Sequence, residues 1–149
     1  MSSVLNFPAS AIRKVTGLDF GYIRKLPVQL TQPPAGSLLL KQLRMMMQVP
    51  DHELAVADHE KHIAGFIALQ YSPSRDSGVR FLVIRFLAVD RFALTRGIAA
   101  ELEQHACLTA AATGCKAVLV RAASLNRPAL LFYQERGYRL DGDTLIKNL

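Results

Sequence analysis

VRFLVIRFLAVDRFALTRGIAAELEQHACLTAAATG, residues 79–114, changes its period once along its length. Val79–Val89 is apolar at nearly every position, the pattern of a strand covered on both faces, and this predicts a central place in a sheet. From Gly97 to Thr113 the apolar residues recur at helical spacing. Ile98, Leu102, Ala106 and Thr109–Ala110 share one face, with Glu101, Glu103 and Gln104 set toward water. Gly114 is placed to end that helix in a left-handed conformation. The first N–H groups of a helix have no internal partner and sit at the positive end of its dipole. With Gly97 at the start, this strand-loop-helix unit is an anion cradle.

Downstream, Lys116–Arg121 reads as a short buried strand, and Asn126 caps a further helix with Pro128 in its first turn. Gly137 ends that helix, and Tyr138–Leu140 with Thr144–Leu149 supply a last hairpin around Asp141-Gly142-Asp143. Upstream, Ser72–Gly78 is a loop, and Glu53–Ala57 and His62–Tyr71 form a hairpin across Asp58-His59-Glu60-Lys61. A helix runs from an N-cap at Ser37 to Gln48 and is stopped by Pro50. Leu39, Leu43 and Met46 or Met47 lie on its inner face, and two of Met45, Met46 and Met47 are expected in the core. Thr31–Gly36 breaks the chain, and Tyr22–Gln29 is predicted to be the first strand. Residues 1–18 are an arm or a short element. The order β, α, β, β, β, α, β, α, β implies one α/β domain of the α+β kind over residues 1–149, a mixed sheet flanked by helices.

Composition sets the outer bounds. Of 149 residues, 50% are hydrophobic and 20% charged, which excludes a disordered or fibrous chain. No apolar run approaches the length that spans a bilayer, and the N-terminus lacks a secretory pattern, so a soluble, cytoplasmic protein without a membrane partner is expected. Cys107 and Cys115 lack a CxxC or Cys/His context and are read as reduced packing thiols. The net charge of +6 is concentrated in residues 1–50, where Arg13, Lys14, Arg24, Lys25, Lys41 and Arg44 face Asp19 alone. Such a surplus attracts anions without choosing among them. The chain has no Trp and its C-terminal helices are not basic on one face, so no nucleic-acid partner is expected. His59, Glu60 and His62 lack metal-site spacing, and no metal is expected.

Asn126-Arg127-Pro128-Ala129-Leu130-Leu131-Phe132-Tyr133-Gln134-Glu135-Arg136-Gly137-Tyr138 resembles the N-x-x-A-x-x-F/L-Y-x-x-x-G-F/Y signature of the GNAT superfamily of acyl-CoA-dependent N-acyltransferases. Asn126, Ala129, Phe132, Tyr133, Gly137 and Tyr138 all fall on the pattern. Leu87-Ala88-Val89 is similar to that family's L-x-V strand end. Gly97 and Ala99 stand where its pyrophosphate loop, R/Q-x-x-G-x-G/A, has small residues. The resemblance is specific over residues 79–140. Departures are Leu94 for the usual Arg or Gln, Thr95 for the common Gly, and Arg91 for the common Pro, while Arg96 adds a cation beside the expected diphosphate.

The resemblance implies a splayed central strand pair and transfer of an acyl group, usually acetyl, from acetyl-CoA to a small-molecule or peptide amine by direct attack. It places the coenzyme on Leu87, Ala88, Val89, Thr95, Arg96, Gly97, Ile98, Ala99, Asn126 and Tyr133, with the pantetheine paired to the Leu87–Val89 backbone. Tyr133 takes the position of a general acid for the departing thiolate; its other reading is an aromatic on the core face of its helix. The general base is missing from its usual place. Many family members have Glu where this chain has Arg85, a residue that would suit an acidic acceptor. The apolar Leu145-Ile146 tail is suited to a homodimer. Arg85, Leu94 and Thr95 keep open the alternative of an acyl-CoA-binding domain without turnover.

Overall fold

Arg80–Val89, strand β5, lies at the middle of the sheet, where its unbroken apolar run predicts it. The computed structural model describes residues 11–31, 38–59, 62–73, 78–91, 97–123 and 125–149. Among them the other strands are β1 (Ala11–Lys14), β2 (Val28–Gln29), β3 (His52–His59), β4 (His62–Pro73), β6 (Cys115–Arg121), β7 (Arg139–Asp141) and β8 (Thr144–Asn148). The helices are α1 (Phe20–Ile23), α2 (Leu38–Gln48), α3 (Ile98–Ala112) and α4 (Arg127–Glu135). The strands lie in the order β1-β3-β4-β5-β6-β8-β7, with β2 added on β5. Every pairing is antiparallel except β5 with β6. This is the mixed, mostly antiparallel sheet expected from the order of elements. No helix among the described residues is long and apolar enough to cross a membrane.

Side chains along β5 alternate between two apolar layers. Leu87 and Val89 join Ile98, Leu102, Ala106 and Tyr133 under α3 and α4. Phe86 and Ala88 join Phe20, Ile23, Leu43 and Met46 under α1 and α2 on the opposite face. α3 presses so closely on the sheet that a Cβ at Gly65 would stand 2.7 Å from Leu102 Cδ1. That close approach explains a glycine in the interior of β4.

Three expectations are corrected. Tyr22–Gln29 is not a strand: α1 occupies its start and only Val28–Gln29 is extended. Phe20 and Ile23, three apart, are both buried, and a helical turn is what brings them to one side. Asp19 fixes the entry to that turn. Its carboxylate accepts 2.8 and 2.9 Å hydrogen bonds from the Arg13 guanidinium and a 2.8 Å bond from the Thr16 N–H. Only Met46 of the three methionines enters the core, because Met45 and Met47 are 60% and 44% exposed on the outer side of α2. Glu103, expected in water, is fully buried. The arm of uncertain type contains β1, which pairs with β3 through Ala11↔Asp58 to Lys14↔Ala55.

Candidate active site

β5 and β6 pair only from Arg80 to Val83, with a register shift after Arg80, and then part. On its other side β5 contains a bulge: Ile84 faces Leu69 and Phe86 faces Ala68, which leaves Arg85 as the extra residue. A bulge bends its strand and re-aims side chains, and here it lies where the two strands separate. Beyond β5, α3 opens at Gly97, whose φ of +75° is the left-handed conformation that glycine adopts without strain. Among the described residues a Cβ built there meets nothing within 4 Å. A cavity of about 500 Å³ adjoins it, lined by Gly97, Ala99 and Ala100 at the start of α3 and by Pro128, Leu131, Phe132, Glu135 and Arg136 from the α4 side. The N–H groups of the first turn of α3, the positive end of its dipole and the Arg136 guanidinium, itself paired with Glu103, are the features here that suit a phosphate, and the Glu135 carboxylate opposes one.

The arm end is different. The edge of β5 that faces the parting is covered by the chain itself. Val28 pairs with Val89 and Gln29 with Ala88, the Leu30 N–H donates to the Leu87 carbonyl at 2.8 Å, and the Leu87 N–H donates to Thr31 Oγ1 at 3.1 Å. Leu30 and Thr31 are both buried. The Tyr133 hydroxyl, itself fully buried, donates to the Leu30 carbonyl at 2.7 Å. Burial pushes the Tyr133 phenol well above the ordinary tyrosine range, so it keeps its proton at neutral pH. The pairing of a coenzyme arm with Leu87–Val89, expected from the sequence, is therefore not available while residues 28–31 hold that edge.

A model of the GNAT family of acetyltransferases matches residues 22–138, most of the chain. This chain belongs to that GNAT family. No curated protein matches it by sequence. Solved structures carry the same fold at low identity. A putative GNAT acetyltransferase from Desulfovibrio desulfuricans superposes with a TM-score of 0.76 at 16% identity, covering 95% of this chain and 98% of that one. Glucosamine-6-phosphate N-acetyltransferase from Arabidopsis thaliana gives 0.67 at 15%, covering 89% and 92%. The KacTA–DNA complex gives 0.64 at 17%, covering 93% and 92%.

Within this GNAT domain the sequence-derived residues fall into groups. Leu87, Ala88 and Val89 are buried along the covered edge of β5, and Gly97, Ile98 and Ala99 form the helix start. Thr95 and Arg96, with Leu94, lie outside the described residues. Asn126 caps α4, its Oδ1 accepting a 2.9 Å bond from the Ala129 N–H, so its side chain is engaged at the helix end. Arg85 lines a second cavity, of about 560 Å³, together with Thr31, Gln42, Gln70, Ser72 and Arg121. Its guanidinium donates to Gln70 Oε1. Sequence reasoning missed Arg121, Gln42 and Gln70, which come from three different elements, and it missed residues 28–31. Three carboxylates of the neighbouring strands and loop are engaged elsewhere. Asp90 bonds His62 at 2.9 Å, Glu53 accepts from Tyr71 at 3.1 Å, and Asp58 accepts from Arg13 at 3.1 Å. None of them lines the Arg85 cavity.

Proposed function

We propose that this GNAT domain transfers an acyl group, in the first place acetyl, from acyl-CoA to the amine of a small molecule or peptide. The observation that carries the reading is the parting of β5 from β6, with a glycine-capped helix start on one side and a polar cavity on the other. The Ile98 and Ala99 N–H groups hold the diphosphate of the donor, assisted by Arg136. Bound coenzyme A supplies the thioester whose acyl group is transferred. The Leu87 N–H, which now bonds Thr31, becomes a donor aimed into the slot once residues 28–31 leave it. Tyr133 loses its Leu30 acceptor in the same movement and is then free to deliver a proton to a leaving thiolate. Arg85 binds the acceptor. That this chain's expected arm-binding edge is covered also favours a second reading, a domain that binds acyl-CoA without turnover.

Calorimetric titration with acetyl-CoA tests the donor site on wild type, Gly97→Asn and Gly97→Asp. Both substitutions tolerate the left-handed backbone, but only aspartate adds a negative charge to the cradle. Wild type binds, and the aspartate variant is weaker than the asparagine variant by about tenfold. Equal affinities, or no binding by wild type, would overturn the donor site. Binding without acetylation across an amine panel selects the second reading.

A further inference from the structure

We propose that the acceptor carries a compact oxyanion, phosphate or carboxylate, a few bonds from its amine, and that Arg85 and Arg121 hold it between them. This rests on reading the 560 Å³ cavity as the acceptor side of the opening. The two arginines come from its two walls. Arg85 is the extra residue of the β5 bulge, and Arg121 is the last residue of β6, beyond the point where the strands stop pairing. Both side chains belong to exposed residues and both line the same cavity.

What surrounds them favours an anion. Among the described residues the lining contains no Asp, Glu or His. Neither arginine has a carboxylate partner among the described residues, whereas Arg13 is paired with Asp19 and Asp58 and Arg136 with Glu103. Gln70 from β4 takes one N–H of Arg85 and so orients the guanidinium, but a neutral amide leaves its charge uncompensated. Gln42 and Ser72 add neutral donor groups to the same wall. Two cationic residues line one cavity, and an oxyanion held between them would compensate both charges. Guanidinium forks fit phosphate and carboxylate in paired hydrogen bonds. For a purely cationic amine the described lining offers neutral oxygens but no carboxylate.

Calorimetry with inorganic phosphate tests the site without any donor, on wild type, Arg85→Gln, Arg121→Gln and Arg121→Lys, with a thermal melt on each to verify folding. Phosphate binds wild type, and each glutamine variant loses about tenfold or more, while Arg121→Lys retains part of the affinity. The same proteins are then assayed with acetyl-CoA against O-phosphoethanolamine, β-alanine and ethanolamine. The anionic acceptors have the lower KM, and Arg121→Gln brings their KM toward that of ethanolamine. A lower KM for O-phosphoethanolamine than for β-alanine identifies phosphate as the preferred group, and the reverse order identifies carboxylate. Phosphate affinity unchanged in Arg121→Gln, as for an anion held at the Gly97 helix start, overturns the proposal. So does an unchanged KM ratio. Arginine-dependent phosphate binding without transfer to any amine sinks the transferase reading and leaves the anion site standing.

Discussion

Glu103 has no exposed surface and accepts four hydrogen bonds. They come from Arg136 Nε at 3.1 Å, Tyr138 Oη at 2.8 Å, Lys147 Nζ at 3.1 Å and Cys107 Sγ at 2.9 Å. It ties α3 to the end of α4 and to the C-terminal hairpin. Burial by itself would raise its pKa, but the four donors together outweigh burial and hold it below the ordinary carboxylate value of 4.5. A depressed carboxylate pKa stabilises the fold above the unfolded value and loses that contribution as pH falls through the folded one. Glu103→Ala therefore costs about 3 kcal/mol at pH 7, about 9 °C in Tm, and the gap from wild type narrows below about pH 4. Denaturant unfolding at both pH values checks this, and a gap that widens in acid would refute it. The residue was misread because Glu101, Glu103 and Gln104 form one polar cluster on the helix, and its partners lie up to 44 residues away. Asn126 and Tyr133 were legible, since a cap and a core-facing helix position are local facts. The acceptor of the Tyr133 proton, 103 residues away, was not.

At the scale of elements, α2, the β3–β4 pairing and the Asn126 cap were readable because period and turn chemistry act over a few residues; the Ser37 cap lies outside the described residues, and Asp58 and His59, expected in the turn, belong to β3. β2 was not. Its apolar surroundings read as a strand from Tyr22, yet Pro27 and the buried pair Phe20 and Ile23 divide the segment into a turn of helix and two extended residues. What fixes those two is β5, distant in sequence. For a donor arm to reach that edge, residues 28–31 must leave it, and exposing Leu30 costs about 2 kcal/mol, which lowers apparent donor affinity about 30-fold. Leu30→Ala relaxes that cost and tightens acetyl-CoA binding. A disulfide makes the converse test. Leu30 and Leu87 stand at a hydrogen-bonded position, so Gln29 and Ala88 form the close, non-hydrogen-bonded pair that a disulfide can span. Gln29→Cys with Ala88→Cys blocks acetyl-CoA binding when oxidised and regains it on reduction. Equal affinity in the two states would mean that the segment does not stand in the donor's path.

At the scale of the molecule, no titratable carboxylate or imidazole among the described residues lines the Arg85–Arg121 cavity, and Glu135 lies in the other cavity, beside the start of α3. His105 lies in a separate cavity at the β1–β3 edge with His52 and Glu53, and burial lowers its pKa. Asp19 and Asp58 serve Arg13, Asp90 serves His62, Glu53 serves Tyr71, and Glu103 is buried. Among the described residues none lines the Arg85–Arg121 cavity, so under the proposed transfer the acceptor is expected to lose its proton to solvent before it attacks. Tyr133, held protonated by burial, adds no break of its own near neutrality. The pH profile of kcat/KM then belongs to the acceptor. It rises about tenfold per pH unit up to the amine's own pKa, about 8 for an α-amine and about 10.4 for a lysine-like alkyl amine. Profiles for one acceptor of each kind, measured between pH 6 and 9, should break near 8 for the first and nowhere for the second. A break near about 6.5 shared by both would instead assign the proton to a histidine or a raised carboxylate of the protein.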